Sequence, residues 1–143
     1  MKKENINALD EIHKGAYMGM DALHFVLDKV KDRKFKKIIK NQYQDYETIA
    51  QKIEKIYPKY DDDSLHKTNI MNKVMTWYGI EMKTLTDTSN SKIAELLLQG
   101  VNMGIIEGRK ILNKKKIDHK VNRIISEYVR MQEEYLEILK DYL

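Results

Sequence analysis

The chain has no cysteine. Disulfides, thiolate metal sites and cysteine nucleophiles are thereby excluded. It has one proline, Pro58, and six glycines in 143 residues, so little in it breaks a helix. No apolar run approaches the roughly 18–20 residues that a membrane span needs. The opening Met1-Lys2-Lys3-Glu4-Asn5 is followed by no apolar segment, so no signal peptide is expected and the cytoplasm is the default compartment. There is no Gly-rich phosphate loop, nucleophile elbow or other enzyme motif. The expectation is a protein without catalytic residues or an organic cofactor.

What is present suits one packed domain. Hydrophobic residues make up 42% and charged residues 34%, a globular balance rather than a disordered one. The length is enough to bury a core. Met, Lys, Leu, Glu and Gln are abundant and favour helix. The net charge of +4 is too mild to argue for nucleic acid by itself. Its distribution is uneven, with clusters at Lys29–Lys40 and Lys110–Arg123. These lack interleaved aromatics and any nucleic-acid motif. Solvated helix ends, where lysine complements the helix dipole, are the simpler reading, so neither nucleic acid nor membrane is expected as a partner.

Apolar residues recur at steps of three and four, the helical period. Ile6, Leu9, Ile12, Ala16, Met20, Leu23, Leu27 and Val30 predict a first helix over about Asn5 to Val30. At about 1.5 Å per residue it is roughly 39 Å long, which suits a long bundle. A second stripe, Phe35, Ile38, Ile39, Gln42, Tyr43, Tyr46, Ile49, Ile53 and Ile56, predicts a helix ending near Ile56, before Pro58 and Asp61-Asp62-Asp63. A shorter helix is expected over about Leu65 to Leu85, with a wide apolar face that includes Ile70, Met71, Val74, Met75, Trp77, Tyr78 and Met82. The polar run Thr86–Ser91 suits an N-cap. Two more helices are expected, over about Ser91 to Asn113 and Asp118 to Tyr142. No strand signal competes.

The chain also repeats itself. Gly15-Ala16-Tyr17-Met18-Gly19 matches Gly100-Val101-Asn102-Met103-Gly104 at an offset of 85. Past the turns the offset is 86: Ile38-Ile39 matches Ile124-Ile125, and Glu47 matches Glu133. Mid-helix glycine costs about 0.5–1 kcal/mol relative to alanine, so glycines kept twice suggest close helix approach. Repeated hairpins imply that the first helix pairs with the fourth and the second with the fifth. The expected organisation is one domain over 1–143: a hairpin at 5–57, a crossover with a short helix at 58–90, and a hairpin at 91–143.

Two hairpins joined by a long connection resemble the ferritin-like superfamily, in which a crossover runs the length of the four-helix bundle. More narrowly, three segments are similar to a bacterial group of unassigned activity, from low-GC and often spore-forming species. They are Met82–Asp87, Asn90–Glu95 and Gly100-x-x-Met103-Gly104-Ile105-Ile106-Glu107. The resemblance implies an all-α, ferritin-like bundle of two pseudo-repeated hairpins with an additional helix in the crossover. An up-down-up-down order stays open: it puts the two lysine-rich turns at one end, whereas a crossover puts them at opposite ends.

Ferritin-like metal proteins use a Glu from each of two helices and Glu-x-x-His from the other two. Here Glu47-Thr48-Ile49-Ala50 and Glu133-Glu134-Tyr135-Leu136 both lack the histidine. The metal set that the resemblance leaves is Asp21 and Glu107 from one helix pair, Glu47 and Glu133 from the other, and His24 as an extra donor, for iron, manganese or zinc. Asp10-x-x-His13 and Asp21-x-x-His24 share one side of the first helix, so each pair could grip a metal or hold a hydrogen bond. Tyr17, Tyr43, Tyr46, Tyr128 and Tyr135 fall near the core, either for redox work beside a metal or as amphipathic core residues. Met71, Met75 and Met82 form either an adaptable docking groove or plain core. Two functions follow as expectations: a non-enzymatic bundle acting through self-association or a protein partner, or a metal-binding protein with a non-standard carboxylate/His site.

Overall fold

The computed structural model describes residues 2–61 and 73–143, the side chains of 73–77 excepted. Among the described residues every regular element is helical. The elements are α1 (Lys2–Leu27), α2 (Arg33–Ile56), α3 (Lys73–Lys83), α4 (Asn90–Lys114) and α5 (His119–Lys140). α1 begins and ends three residues earlier than its stripe predicts, with Val30 still buried beyond it. The first part of the expected third helix, with Ile70 and Met71, lies outside the described residues.

Local chemistry places the helix ends. Asp32, Ser89 and Asp118 are N-caps: their side-chain oxygens accept from the backbone N–H of Phe35 at 2.9 Å, Lys92 at 3.2 Å and Val121 at 3.1 Å. Each pairs a donor that the first helical turn leaves without a carbonyl. The polar run before α4 thus supplies the cap expected of it. α2 gives way to a 3₁₀ turn at Tyr57–Lys59, because Pro58 has no N–H to extend the ladder. Lys115, at φ 54°, closes α4 in the left-handed region, a conformation that reverses the chain within a short turn.

Two sets of contacts orient the helices. The Asn5 side chain accepts the Asp118 backbone N–H at 2.9 Å, and the Tyr60 hydroxyl donates to the Asp118 carboxylate. The start of α1, the segment after α2 and the α4–α5 turn therefore share one end. At the other end Phe35 stacks on Tyr142, with centroids 4.3 Å apart, so the start of α2 meets the end of α5. α1 runs antiparallel to both α2 and α4, and α2 antiparallel to α5. The two lysine-rich turns lie at opposite ends. The connection from α2 to α4 leaves one end and re-enters at the other, which is a crossover.

The core runs between the four long helices. Leu9, Ile12, Leu23, Phe35, Ile39, Ile53, Ile93, Leu96, Ile125 and Leu139 are almost wholly shielded. α3 packs on α4 and α1 and buries Tyr78 and Met82. Among the described residues no helix is long and apolar enough to cross a membrane.

Because the chain has no cysteine, Arg33→Cys and Lys116→Cys can be spin-labelled cleanly. Electron-spin distance measurement on the double variant is expected to read more than about 30 Å, near the length of a 26-residue helix. A distance of about 10–15 Å, the spacing of adjacent turns at one end, overturns the crossover.

Candidate functional site: a central cavity

A cavity of about 680 Å³ lies between α1 and α4. Its walls are one face of each helix. α1 contributes Ile12, Gly15, Met18, Gly19 and Ala22, and α4 contributes Leu97, Gly100, Met103, Gly104 and Glu107. These two sets correspond residue by residue at the offset of 85. Gln42 and Tyr46 of α2, Tyr128 and Gln132 of α5 and Tyr78 of α3 also line it. Asp10, Glu11 and Lys14 lie towards the start of α1, on the side of the α4–α5 turn.

The repeated glycines have a more particular task than close helix approach. Each makes room for a side chain from another helix. A methyl group built on Gly15 would lie 2.8 Å from the Tyr128 hydroxyl, and one on Gly19 would lie 2.6 Å from the Tyr46 ring. One on Gly100 would meet the Tyr78 hydroxyl at 2.8 Å, and one on Gly104 the Gln132 amide nitrogen at 2.3 Å. The missing side chains admit three tyrosines and a glutamine.

Those admitted groups form a buried polar cluster. The Tyr46 hydroxyl donates to Gln132 Oε1 at 2.7 Å. Gln132 also bonds the Tyr128 hydroxyl, and Gln42 bonds that of Tyr46. Gln42 and Gln132 are each 1% exposed, so these bonds replace the water both amides lost. One group is left over: among the described residues Gln42 Oε1 has no hydrogen-bond partner. Burial pushes the Tyr46 phenol up to about 12, against a lowering by its bonds to Gln132 and Gln42. Burial drives Tyr78 and Tyr128 higher still. On the α1–α4 side, Glu11 and Glu107 share a hydrogen bond. Desolvation, then the neighbouring Glu107 carboxylate, raises the Glu11 carboxyl above the usual range.

The expected metal ligands are placed differently. Asp21, His24 and Glu47 are exposed. Glu133 accepts from Arg109 at 2.9 Å on the surface, and Glu107 meets Glu11. Among the described residues no three of His, Asp and Glu gather where they could hold a metal ion, so Asp21, His24, Glu47, Glu107 and Glu133 are not brought together as a set. The physical reason is one step of register. Tyr46 and Gln132 face inward, and the next residue, Glu47 or Glu133, is turned about 100° around the helix. The inward positions carry a phenol and an amide, which do not fit a di-metal centre that needs carboxylates and imidazoles.

His13 Nε2 pairs with Glu54 Oε1 of α2 at 3.0 Å, and the Tyr17 hydroxyl donates to the same oxygen at 3.1 Å. Its partner is thus on the neighbouring helix rather than Asp10, and Tyr17 lies at the surface. Tyr46, Tyr128 and Tyr135 are buried, and Tyr43 is half-buried. Of the methionine stripe, Met82 is buried. Met71 and the side chain of Met75 lie outside what is described. Gln132 escaped the sequence reading; the signal for it was its place 86 residues after the inward Tyr46.

No family model matches the chain, and neither curated proteins nor solved structures give a match.

Gly15→Ala is expected to destabilise the fold by about 1–3 kcal/mol through overpacking against Tyr128. In a Tyr128→Phe background the same change should become neutral or stabilising by up to about 1 kcal/mol, as helix propensity takes over. A urea-denaturation double-mutant cycle without coupling would refute the contact. The buried tyrosines set an alkaline limit as well. A phenol whose folded pKa exceeds its unfolded value of about 10 contributes stability that is complete below that value and is lost as pH rises through the folded one. Urea stability should hold to about pH 9, then fall between about 10 and 12 for Tyr46. Tyrosinate absorbance of the buried rings should appear only with unfolding.

Proposed function

We propose that this is a non-enzymatic helical-bundle protein that binds a small organic molecule in the cavity between α1 and α4. The observation that carries the reading is the cavity itself, about 680 Å³ and within the range of roughly 300–1,000 Å³ common for ligand sites. Its composition fits that use. Ile12, Leu23, Leu97 and Val101 are apolar walls, and a few polar groups lie among them. Mid-helix glycines weaken a helix, yet here four of them line the cavity and make room for the side chains of Tyr128, Tyr46, Tyr78 and Gln132.

We further propose that the frame is ferritin-like and internally repeated. The antiparallel pairing of α1 with α4 and of α2 with α5 supports this, as does the crossover. So does the correspondence of cavity walls at the offset of 85 and of Gln42/Tyr46 with Tyr128/Gln132 at 86. In that frame the bundle centre serves recognition rather than metal chemistry. Association with a second copy or a protein partner is the second reading. Its support is the exposure of Ile80 and Ile106, 56% and 44%; scattered exposed apolar residues are ordinary on protein surfaces, so the cavity weighs more. Light scattering that gives a strict monomer removes the self-association reading.

Calorimetric titration with eight-carbon amphiphiles tests the cavity. Saturable one-to-one binding is expected, and Met103→Trp, which fills the space from α4, should abolish it while leaving the helical circular dichroism intact. Met18→Phe, from the opposite wall, serves if the first variant fails to fold. Unchanged binding in a folded filled variant removes the cavity from consideration.

A further inference from the structure

We propose that the cavity selects an organic cation, an amine carried on an apolar body. The inference rests on the cavity being a ligand site and adds the chemistry of the ligand.

Two acceptors in the cavity are left over. Gln42 Oε1 and Asp10 Oδ1 are both shielded from solvent and, among the described residues, neither has a hydrogen-bond partner. Both residues line the cavity. Gln42 is 1% exposed, so its carbonyl oxygen is a built feature of the interior rather than a surface group. A buried acceptor without a donor costs about 1–3 kcal/mol. A ligand that brings N–H groups removes that cost; one that brings only acceptors does not.

Charge points the same way. Asp10, Glu11 and Glu107 line the cavity against a single lysine, Lys14, in a chain whose net charge is +4. The acidity is local to this site. An anionic headgroup would sit beside like charges, and the Gln132 amide is already engaged by Tyr46 and Tyr128. A hydroxyl group brings one donor and no charge, whereas an ammonium brings three donors together with the matching charge. Ile12, Leu97, Val101 and the paired Met18 and Met103 take the apolar body. Methionine adapts to irregular shapes, so the head is specified more tightly than the tail.

The test compares three probes with the same eight-carbon chain: octylamine, 1-octanol and octanoate. Each is titrated calorimetrically into the full chain at neutral pH, below its aggregation concentration. Octylamine is expected to bind about tenfold or more tighter than 1-octanol, with octanoate weakest. Asp10→Asn and Glu107→Gln should each weaken octylamine by about threefold to fivefold and 1-octanol by clearly less. These side chains lie towards the protein's edge rather than its core, and melting temperatures check that both variants fold. Equal binding of octylamine and 1-octanol, or tighter octanoate, overturns the cation inference and leaves the cavity standing. Absence of binding by all three overturns both.

Discussion

Tyr46 of α2 and Gln132 of α5 meet through a 2.7 Å hydrogen bond at the centre of the bundle. A phenol and a primary amide taken out of water each lose more than a hydrophobic contact returns, unless partners replace the solvent. Gln132 answers by using both ends of its amide, towards Tyr46 and towards Tyr128. This fixes how α2 and α5 face one another. It also dictates what the other helix pair can carry. Side chains of this bulk reach the bundle axis only if α1 and α4 withdraw theirs, and glycine is the residue that withdraws completely. Gly15, Gly19, Gly100 and Gly104 make room for Tyr128, Tyr46, Tyr78 and Gln132, and the same four glycines line the cavity.

The frame could be read from the chain because its signals are local and periodic. Apolar spacing gave the long helices, and Ser89 and Asp118 capped α4 and α5 where polar residues interrupt the stripes. The doubled glycine motif marked where side chains of α2, α3 and α5 enter, rather than a close approach of α1 to α4. The site was harder to read, for a reason of angle. The repeat brings Glu47 into register with Glu133, and a carboxylate is the residue a metal reading seeks. The inward position is one residue earlier, where Tyr46 and Gln132 differ in kind and so hide their correspondence. Gln42 lay within the apolar stripe and passed as an imperfection in it. His13, three residues from Asp10, found its carboxylate on α2, across a helix boundary that sequence spacing does not show.

The cluster's proton affinities bear on what the cavity can do. General acid–base work near neutral pH needs a group that changes protonation there. Burial moves Tyr46, Tyr78 and Tyr128 away from that range, towards firmer retention of their protons. They act as fixed dipoles. Glu11 is the group whose shift runs towards neutrality, through desolvation and the neighbouring Glu107 carboxylate, and its neighbour is Glu107 rather than the buried cluster. Among the described lining residues the hydroxyls belong to these high-affinity phenols.

Groups that hold their charge state and geometry are suited to recognition, because little has to reorganise when a ligand enters. The Tyr46 hydroxyl is matched to Gln132 Oε1, whereas Gln42 Oε1 and Asp10 Oδ1 remain as acceptors without donors among the described residues. A core that needed only to be stable would be served better by apolar side chains of similar volume, since a partly satisfied polar group in low dielectric weakens the fold. The imbalance at the bundle centre therefore has a direction. It disfavours the protein alone and favours the protein with a donor in place. The same preference is written twice, once in the orphaned amide oxygen and again in the local excess of carboxylates within a basic chain.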